Sequence, residues 1–356
     1  MSPRSDASTS VRGSATKLSF ALGLGIVIAT IIVFGFLLLY RAFWGPGAFV
    51  ERYVERIAVG DAAGALAMPG VAPAYSDLDS IARGQASEAL LRSSVLTSEI
   101  DNVHIDGFAH VRDGVATVDM AYELNGQEER MSFRVVREGF NGLVPSWKFE
   151  ATPLSVIDVT VRGSWRFSVN GFEMDKRQLS PAGLEADPLA PVSMLAFAPG
   201  AYDVSVDTAA TTAAPIQVAA PGPLGIAPVD VQTVPTDQLT DVVQKSVDDF
   251  LDQTCTTQTV LHPSGCPFGA PADITALGIT QDDVSWTIVD YPLTRLAPDG
   301  DDWQVRPASG MARLNVTIAD YYTGALVKLD RDVYFTMVAD VDVREDGGVH
   351  ITIDAA

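Results

Sequence analysis

Two cysteines, Cys255 and Cys266, are the only thiols in the chain, and His262 lies between them. Residues of these types at this spacing suit three chemistries. They can close a disulfide, present a thiolate activated by an imidazole, or contribute to a zinc site. A structural zinc takes about four ligands, and His262 is the only further ligand nearby. Pro263 and Pro267 give the segment stiff loop chemistry, which favours a disulfide over a reactive pair of His262 with Cys266. In the chain-entropy model, closing a loop of this size stabilises a fold by about 3 kcal/mol.

Other polar constellations are weaker. Asp77-x-Asp79 with Gly84 and Glu88 has the outline of a twelve-residue calcium loop, but Ile81 and Ala82 stand where the loop needs an oxygen ligand and a glycine. Asp299-Gly300-Asp301-Asp302 has the composition of a hairpin turn, with at most weak and unspecific calcium binding. His104, His110, His262 and His350 are the four histidines and share no spacing that forms a site. Asn315-Val316-Thr317 is a glycosylation sequon in spacing, yet it sits in an alternating, strand-like context. Nucleophile elbow, phosphate loop, dinucleotide fingerprint and His-Glu-x-x-His are all missing from the sequence. The expectation is therefore no catalytic set, no metal and no cofactor.

The formal charge is −21. Arg4, Arg12 and Lys17 against Asp6 give the first residues +2, which leaves −23 for the remainder. Such acidity repels nucleic-acid phosphates and excludes a nucleic-acid partner. With 47% hydrophobic and 19% charged residues, the chain still has ample material for packed cores. Its length suggests two or three domains.

The chemistry-bearing residues all follow a run from Leu18 to Tyr40, twenty-three residues without a charge. A helix of that length crosses the roughly 30 Å hydrocarbon core of a bilayer. A cleaved signal would be shorter and would end in small residues, whereas Leu37, Leu38, Leu39 and Tyr40 are bulky. The sequence thus predicts a single-pass membrane protein with a cytoplasmic tail over 1–17, a span over 18–40 and an extracytoplasmic bulk. Ala21, Gly25 and Ala29 share one face of the span, a pattern that allows weak homodimerisation through the helix.

Beyond the span, Phe49, Val50, Tyr53, Val54 and Ile57 recur at helical spacing, and Gly60-Asp61 breaks the pattern. A second helix carries Ala62 to Ala67, and another is expected over about Gln85 to Val95. The period then changes to two. Ala116, Val118, Met120, Tyr122 and Leu124 alternate with polar residues, Asn125-Gly126 marks a hairpin, and Met131, Phe133 and Val135 continue the pattern before Trp147 and Phe149.

This order resembles the nuclear-transport-factor-two-like, or cystatin-like, α+β roll over about residues 45–152. The resemblance implies a cone-shaped interior, which enzymes of that superfamily furnish with Asp, His or Tyr. Asp106, His104, His110 and Tyr75 would be the candidates here, and Tyr122, Met131 and Phe133 would line a ligand cavity. Over 153–206, Val169-Asn170-Gly171 followed by Phe197-x-Pro199-Gly200-x-Tyr202-x-Val204 is similar to PEGA-like β-sandwich repeats, which implies a spacer or adhesion module. The intervening stretch Phe172–Met194 is longer than that pattern. Residues 207–235, rich in Ala, Thr and Pro, are expected as a linker or edge strands.

Residues 236–356 restart the first plan. Thr236 can cap a helix with Leu239, Val242, Val243, Val247, Phe250 and Leu251 along one stripe. The cysteine loop and a meander ending at Gly347-Gly348 follow. Phe250-Leu251-x-x-x-Cys255 with Pro263-x-Gly265-Cys266-Pro267-x-Gly269 resembles uncharacterised envelope proteins of high-GC Gram-positive bacteria, which implies a surface location. The expected fold is α+β: one N-terminal transmembrane helix and two cystatin-like rolls separated by a small β-sandwich. The expected function is a non-enzymatic interaction or scaffold role at the cell envelope, toward an envelope protein or cell-wall partner. The alternative is a small-ligand receptor using the cavity of a roll.

Overall fold

The computed structural model describes residues 27, 30–35, 40, 43–107, 109–112, 114–142, 144–275, 283–319, 323–344 and 348–355. They form two compact units: residues 1–74 with 99–153, and residues 75–98 with 154–356.

Two expectations are corrected at once. Among the described residues no helix is long and apolar enough to cross a membrane. The transmembrane, single-pass reading is therefore not upheld; most of its segment, with Ala21, Gly25 and Ala29, lies outside the described residues. The α+β, cystatin-like assignment also fails, because the chain is predominantly strand. Its two long helices have thirteen and fourteen residues, against eighteen strands among the described residues. The helical periods are real but short, and the helix expected over Gln85–Val95 gives way to turns and a short 3-10 segment at Ser93–Val95.

In the first unit, helix α1 (Pro46–Ala58) starts with proline in its first turn, where the missing N–H is not needed. Phe49, Val50, Tyr53, Val54 and Ile57 form its buried stripe. Gly60, at φ +75°, turns the chain, and the Asp61 carboxylate accepts a hydrogen bond from Gly64 N to cap the short helix Ala62–Leu66. The sheet consists of β1 (Ile100–Ile105), β2 (His110–Arg112), β3 (Val115–Leu124), β4 (Gln127–Asn141) and β5 (Val144–Phe149). Its order is β1-β3-β4-β5, with β2 also on β3. The inner face meets α1 through an aromatic cluster: Tyr53 lies 6.1 Å from Phe133 and 5.1 Å from Phe149, centroid to centroid.

The second unit opens with a strap, residues 75–98, that adds little regular structure of its own. It buries Leu78, Leu90 and Val95 against a β module built from β6 (Ser155–Arg162), β7 (Arg166–Val169), β8 (Phe172–Asp175), β9 (Val192–Ala196), β10 (Ala201–Asp207), β11 (Thr211–Ala219), β12 (Ile226–Gln232) and β13 (Val234–Pro235). One sheet runs β13-β11-β10-β7-β8 and the other β12-β6-β9. The β12–β6 pairing is parallel. The stretch 207–235 is thus occupied largely by strands. Between β9 and β10, Tyr202 donates its hydroxyl to Phe197 O at 2.9 Å, and Gly200 leaves room beneath it.

Helix α2 (Asp237–Phe250) follows directly. Thr236 Oγ1 accepts from Leu239 N at 3.1 Å, and Leu239, Val243 and Val247 are buried, whereas Val242 is exposed. The helix continues through a π turn, Leu251–Cys255, into the cysteine loop. Its partner sheet contains β14 (Ser285–Asp290), β15 (Leu296–Asp299), β16 (Asp302–Ala319), β17 (Leu326–Val343) and β18 (Val349–Ala355), in the order β14-β16-β17-β18 with β15 on β16. Trp286, Trp303, Leu314 and Met337 belong to the core shared with α2.

Candidate functional site

Cys255 and Cys266 are joined in a disulfide, with Cα atoms 5.7 Å apart. This closes the thiolate and zinc alternatives for the pair. His262 stacks on Gly269: a Cβ built there would come within 2.4 Å of His262 Nδ1. The histidine is exposed and lies against Gly269, and the disulfide leaves it no thiol to activate.

In the first unit, His104 is exposed and its Nδ1 lies 2.7 Å from Asn102 O. Asp106 is half-exposed and pairs with Arg130 at 3.7 Å. Tyr75 belongs to the second unit and is 73% exposed. The His110 backbone lies in β2, paired with Thr117; its side chain is outside the described set. Tyr122, Met131 and Phe133, expected around a cavity, are at most 8% exposed, and Phe133 rests on Tyr53 and Phe149. These residues form a core.

Asp77 and Asp79 lie in the short helix Tyr75–Ser80. Among the described residues no group of three or more His, Cys, Asp or Glu is placed to hold a metal ion. Asn315 and Thr317 sit within β16, paired with Asp330 and Lys328 of β17.

A cleft of about 340 Å³ in the second unit gathers Trp165, Arg166, Asp207, Thr211, Asp301 and Arg344, residues of the β module and of the C-terminal sheet. Trp165 is its aromatic wall. Lys176 Nζ stands 4.9 Å and Arg177 Cζ 5.0 Å from the Trp165 ring centroid. Lys176 is only 2% exposed and donates to Val161 O at 2.8 Å and Pro188 O at 2.6 Å. Burial pushes its ammonium down to about 8, against the opposing field of Asp301, Asp175 and Asp187. Burial also opposes charge on Asp175, but hydrogen bonds and charge from Arg177 hold that carboxyl below its usual range. With its protons committed to backbone carbonyls, Lys176 serves to tie Val161 to Pro188. It is not a free nucleophile.

The Asp299–Asp302 turn ends the C-terminal sheet beside this cleft. Asp299 faces Asp302 across β15 and β16. Asp302 is half-buried, and burial followed by the fields of Asp301 and Asp342 pushes its carboxyl up to about 6. The sequence reading singled out this turn but passed over Lys176. The signal for Lys176 was the Asp175-Lys176-Arg177 run after a strand, with Trp165 just before the strand that pairs with it.

No family model, curated protein or solved structure matches the chain.

Proposed function

We propose that this chain is a non-enzymatic interaction or scaffold protein that works outside the cytoplasm, at the cell envelope. There it presents its sheet faces to another envelope protein or to cell-wall material. The observation that carries this reading is the dispersal of reactive groups. His104, Asp106, Tyr75 and His262 each keep separate surroundings, and the two thiols are consumed in one bond. The disulfide supports an oxidising compartment. Kinship of the β module with PEGA-like spacers is part of the same proposal, resting on the Phe197-to-Val204 turn and its Tyr202 hydroxyl bond.

The test is crosslinking in intact cells that produce the chain, followed by mass spectrometry. One reproducibly captured envelope protein or wall fragment, lost when residues 154–356 are deleted, is the expected result. Capture no greater than that of an unrelated exported protein would overturn the proposal.

A small-ligand receptor is the second reading. The cleft at Trp165 is the observation that favours it, in place of the packed interior of the first unit. A saturating polar ligand must raise the melting temperature, and a Trp165→Ala variant should lose that shift.

A further inference from the structure

Arg295 and Arg306 face each other at the open end of the β15–β16 hairpin. Leu296 is the register partner of Val305. One step further out, Arg306 N donates to Arg295 O at 2.9 Å, so the two arginines stand directly opposite on one face. Side chains paired in this way hold their Cβ atoms about 5 Å apart, and like charges there repel. Both arginines are exposed, and among the described residues neither guanidinium takes a hydrogen bond or an ion pair. The chain carries 45 acidic side chains against 24 basic ones, so this pair lacks a carboxylate by placement and not by supply. The pair also sits at an irregularity. β16 shifts register against β17 between Val305 and Ala308, which puts Arg306 and Pro307 in a bulge. Beside it lies a second cleft, of about 380 Å³, lined by both arginines with Asp290, Tyr291, Leu293 and Ser309. We propose that this cleft binds a compact phosphate-type oxyanion, held between the Arg295 and Arg306 guanidiniums.

Charge and geometry choose the ligand. Two arginines against Asp290 alone leave the lining at +1, within a chain of −21. The surrounding negative field repels an extended polyanion or an anionic membrane, so the ligand is one small enough to sit inside the cleft. A guanidinium presents its N–H donors as a rigid fork that matches carboxylate or phosphate oxygens. A carboxylate has two oxygens and is filled by one fork, whereas the three terminal oxygens of a phosphate monoester can engage both. Ser309 adds a hydroxyl to the lining, and Tyr291 is held in place because its own hydroxyl donates to Asp252 Oδ1 at 2.7 Å. A bound anion offsets the repulsion that the bare pair carries. This cleft shares no lining residue with the one at Trp165, and the proposal stands apart from the envelope role.

The test is thermal melting of the full chain in inorganic phosphate, with sodium chloride of equal ionic strength as the reference, for the parent and for Arg306→Gln. In chloride the variant should melt no lower than the parent, because it removes a like-charge pair. Phosphate should raise the parent saturably, by about 3–6 °C at roughly ten times the half-saturating concentration. The variant should lose that saturable rise. Phosphate also stabilises folds in general through its exclusion from protein surfaces, so an equal rise in both chains would overturn the proposal, as would an unresponsive parent. An arginine Nε–Hε NMR titration of the unsubstituted chain checks it without any variant. The Arg295 and Arg306 signals should move along one saturation curve, and movement of neither refutes the site. Phosphatidylglycerol vesicles separate a free anion from a lipid headgroup. Parent and variant should float with them to the same extent, and flotation that depends on Arg306 would overturn the compact ligand.

Discussion

Gly163 lies flat against the indole of Trp303. A Cβ built on Gly163 would stand 3.0 Å from Trp303 Cζ2 and 2.7 Å from Thr233 Oγ1, and its backbone is held at φ +77°. Trp303 is 2% exposed, and its Nε1 is buried with no hydrogen-bond partner among the described residues. The bare glycine backbone thus seats the β module on the core of the C-terminal sheet.

Gly163→Ala should destabilise the second unit by about 2–4 kcal/mol, combining left-handed backbone strain with overpacking. Denaturant unfolding followed by tryptophan fluorescence measures it. A cost below that of Gly171→Ala, a turn position with open space around it, would contradict the seating role.

Removing the Cys255–Cys266 bond should cost about 2–4 kcal/mol, since it frees a loop in the unfolded chain. The paired Cys255→Ser and Cys266→Ser variant and the reduced parent should melt alike. If reduction leaves the melting temperature of the second unit unchanged, the bond is not a staple.

An ion pair helps to fasten the strap. Arg83 Nη2 lies 2.7 Å from Asp158 Oδ2, Asp158 is nine-tenths buried, and Ser193 Oγ donates to its other oxygen at 2.6 Å. Arg83→Ala leaves a buried carboxylate without its cation and should cost about 3 kcal/mol. Adding Asp158→Asn to that variant should recover part of the loss. Additive losses in a double-mutant cycle would show that the two residues do not act together.

Tyr202→Phe removes the bond to Phe197 O in a fully buried setting. It should cost about 1 kcal/mol, the net worth of a typical hydrogen bond. Gly200→Ala should cost more, because its Cβ would press to 2.9 Å from Phe197 O. Equal stability of all three chains in urea would remove this turn as a structural element.

The locally coded features were legible. Alternation placed Ala116, Val118, Met120, Tyr122 and Leu124 on one face of β3, and all five are buried. Asn125-Gly126 supplied a turn with both residues at positive φ, and Thr236 capped α2. What escaped depended on distant partners. The Gln85–Val95 segment has apolar residues at spacings a helix can use, but Ser87 instead bonds to Ser193 O and Leu195 N, each at 2.8 Å. Tertiary pairing overrode local propensity there. Residues 207–235 could be read as linker or edge strands, but the parallel pairing of 226–232 with residues 70 positions earlier was not legible. For the candidate site, Asp299-Gly300-Asp301-Asp302 was visible as a turn. That Asp302 pairs back with Asp299, and that the neighbouring Trp303 pairs with Val341 of β17, was set by register alone.

The strap also fixes an order of events as the chain emerges, N-terminus first. Residues 75–98 emerge before 99–153, yet their bonding partners, Asp158, Asn170, Ser193 and Ala201, all lie beyond 153. The first unit's sheet is joined by near neighbours and can close as soon as β5 is made. Meanwhile Leu78, Leu90 and Val95 must wait, undocked and apolar, until β9 and β10 have been made. The nascent chain therefore carries a sticky interval of its own. A chaperone that shields short apolar stretches would act on this protein during that interval and find little to hold once β10 has closed.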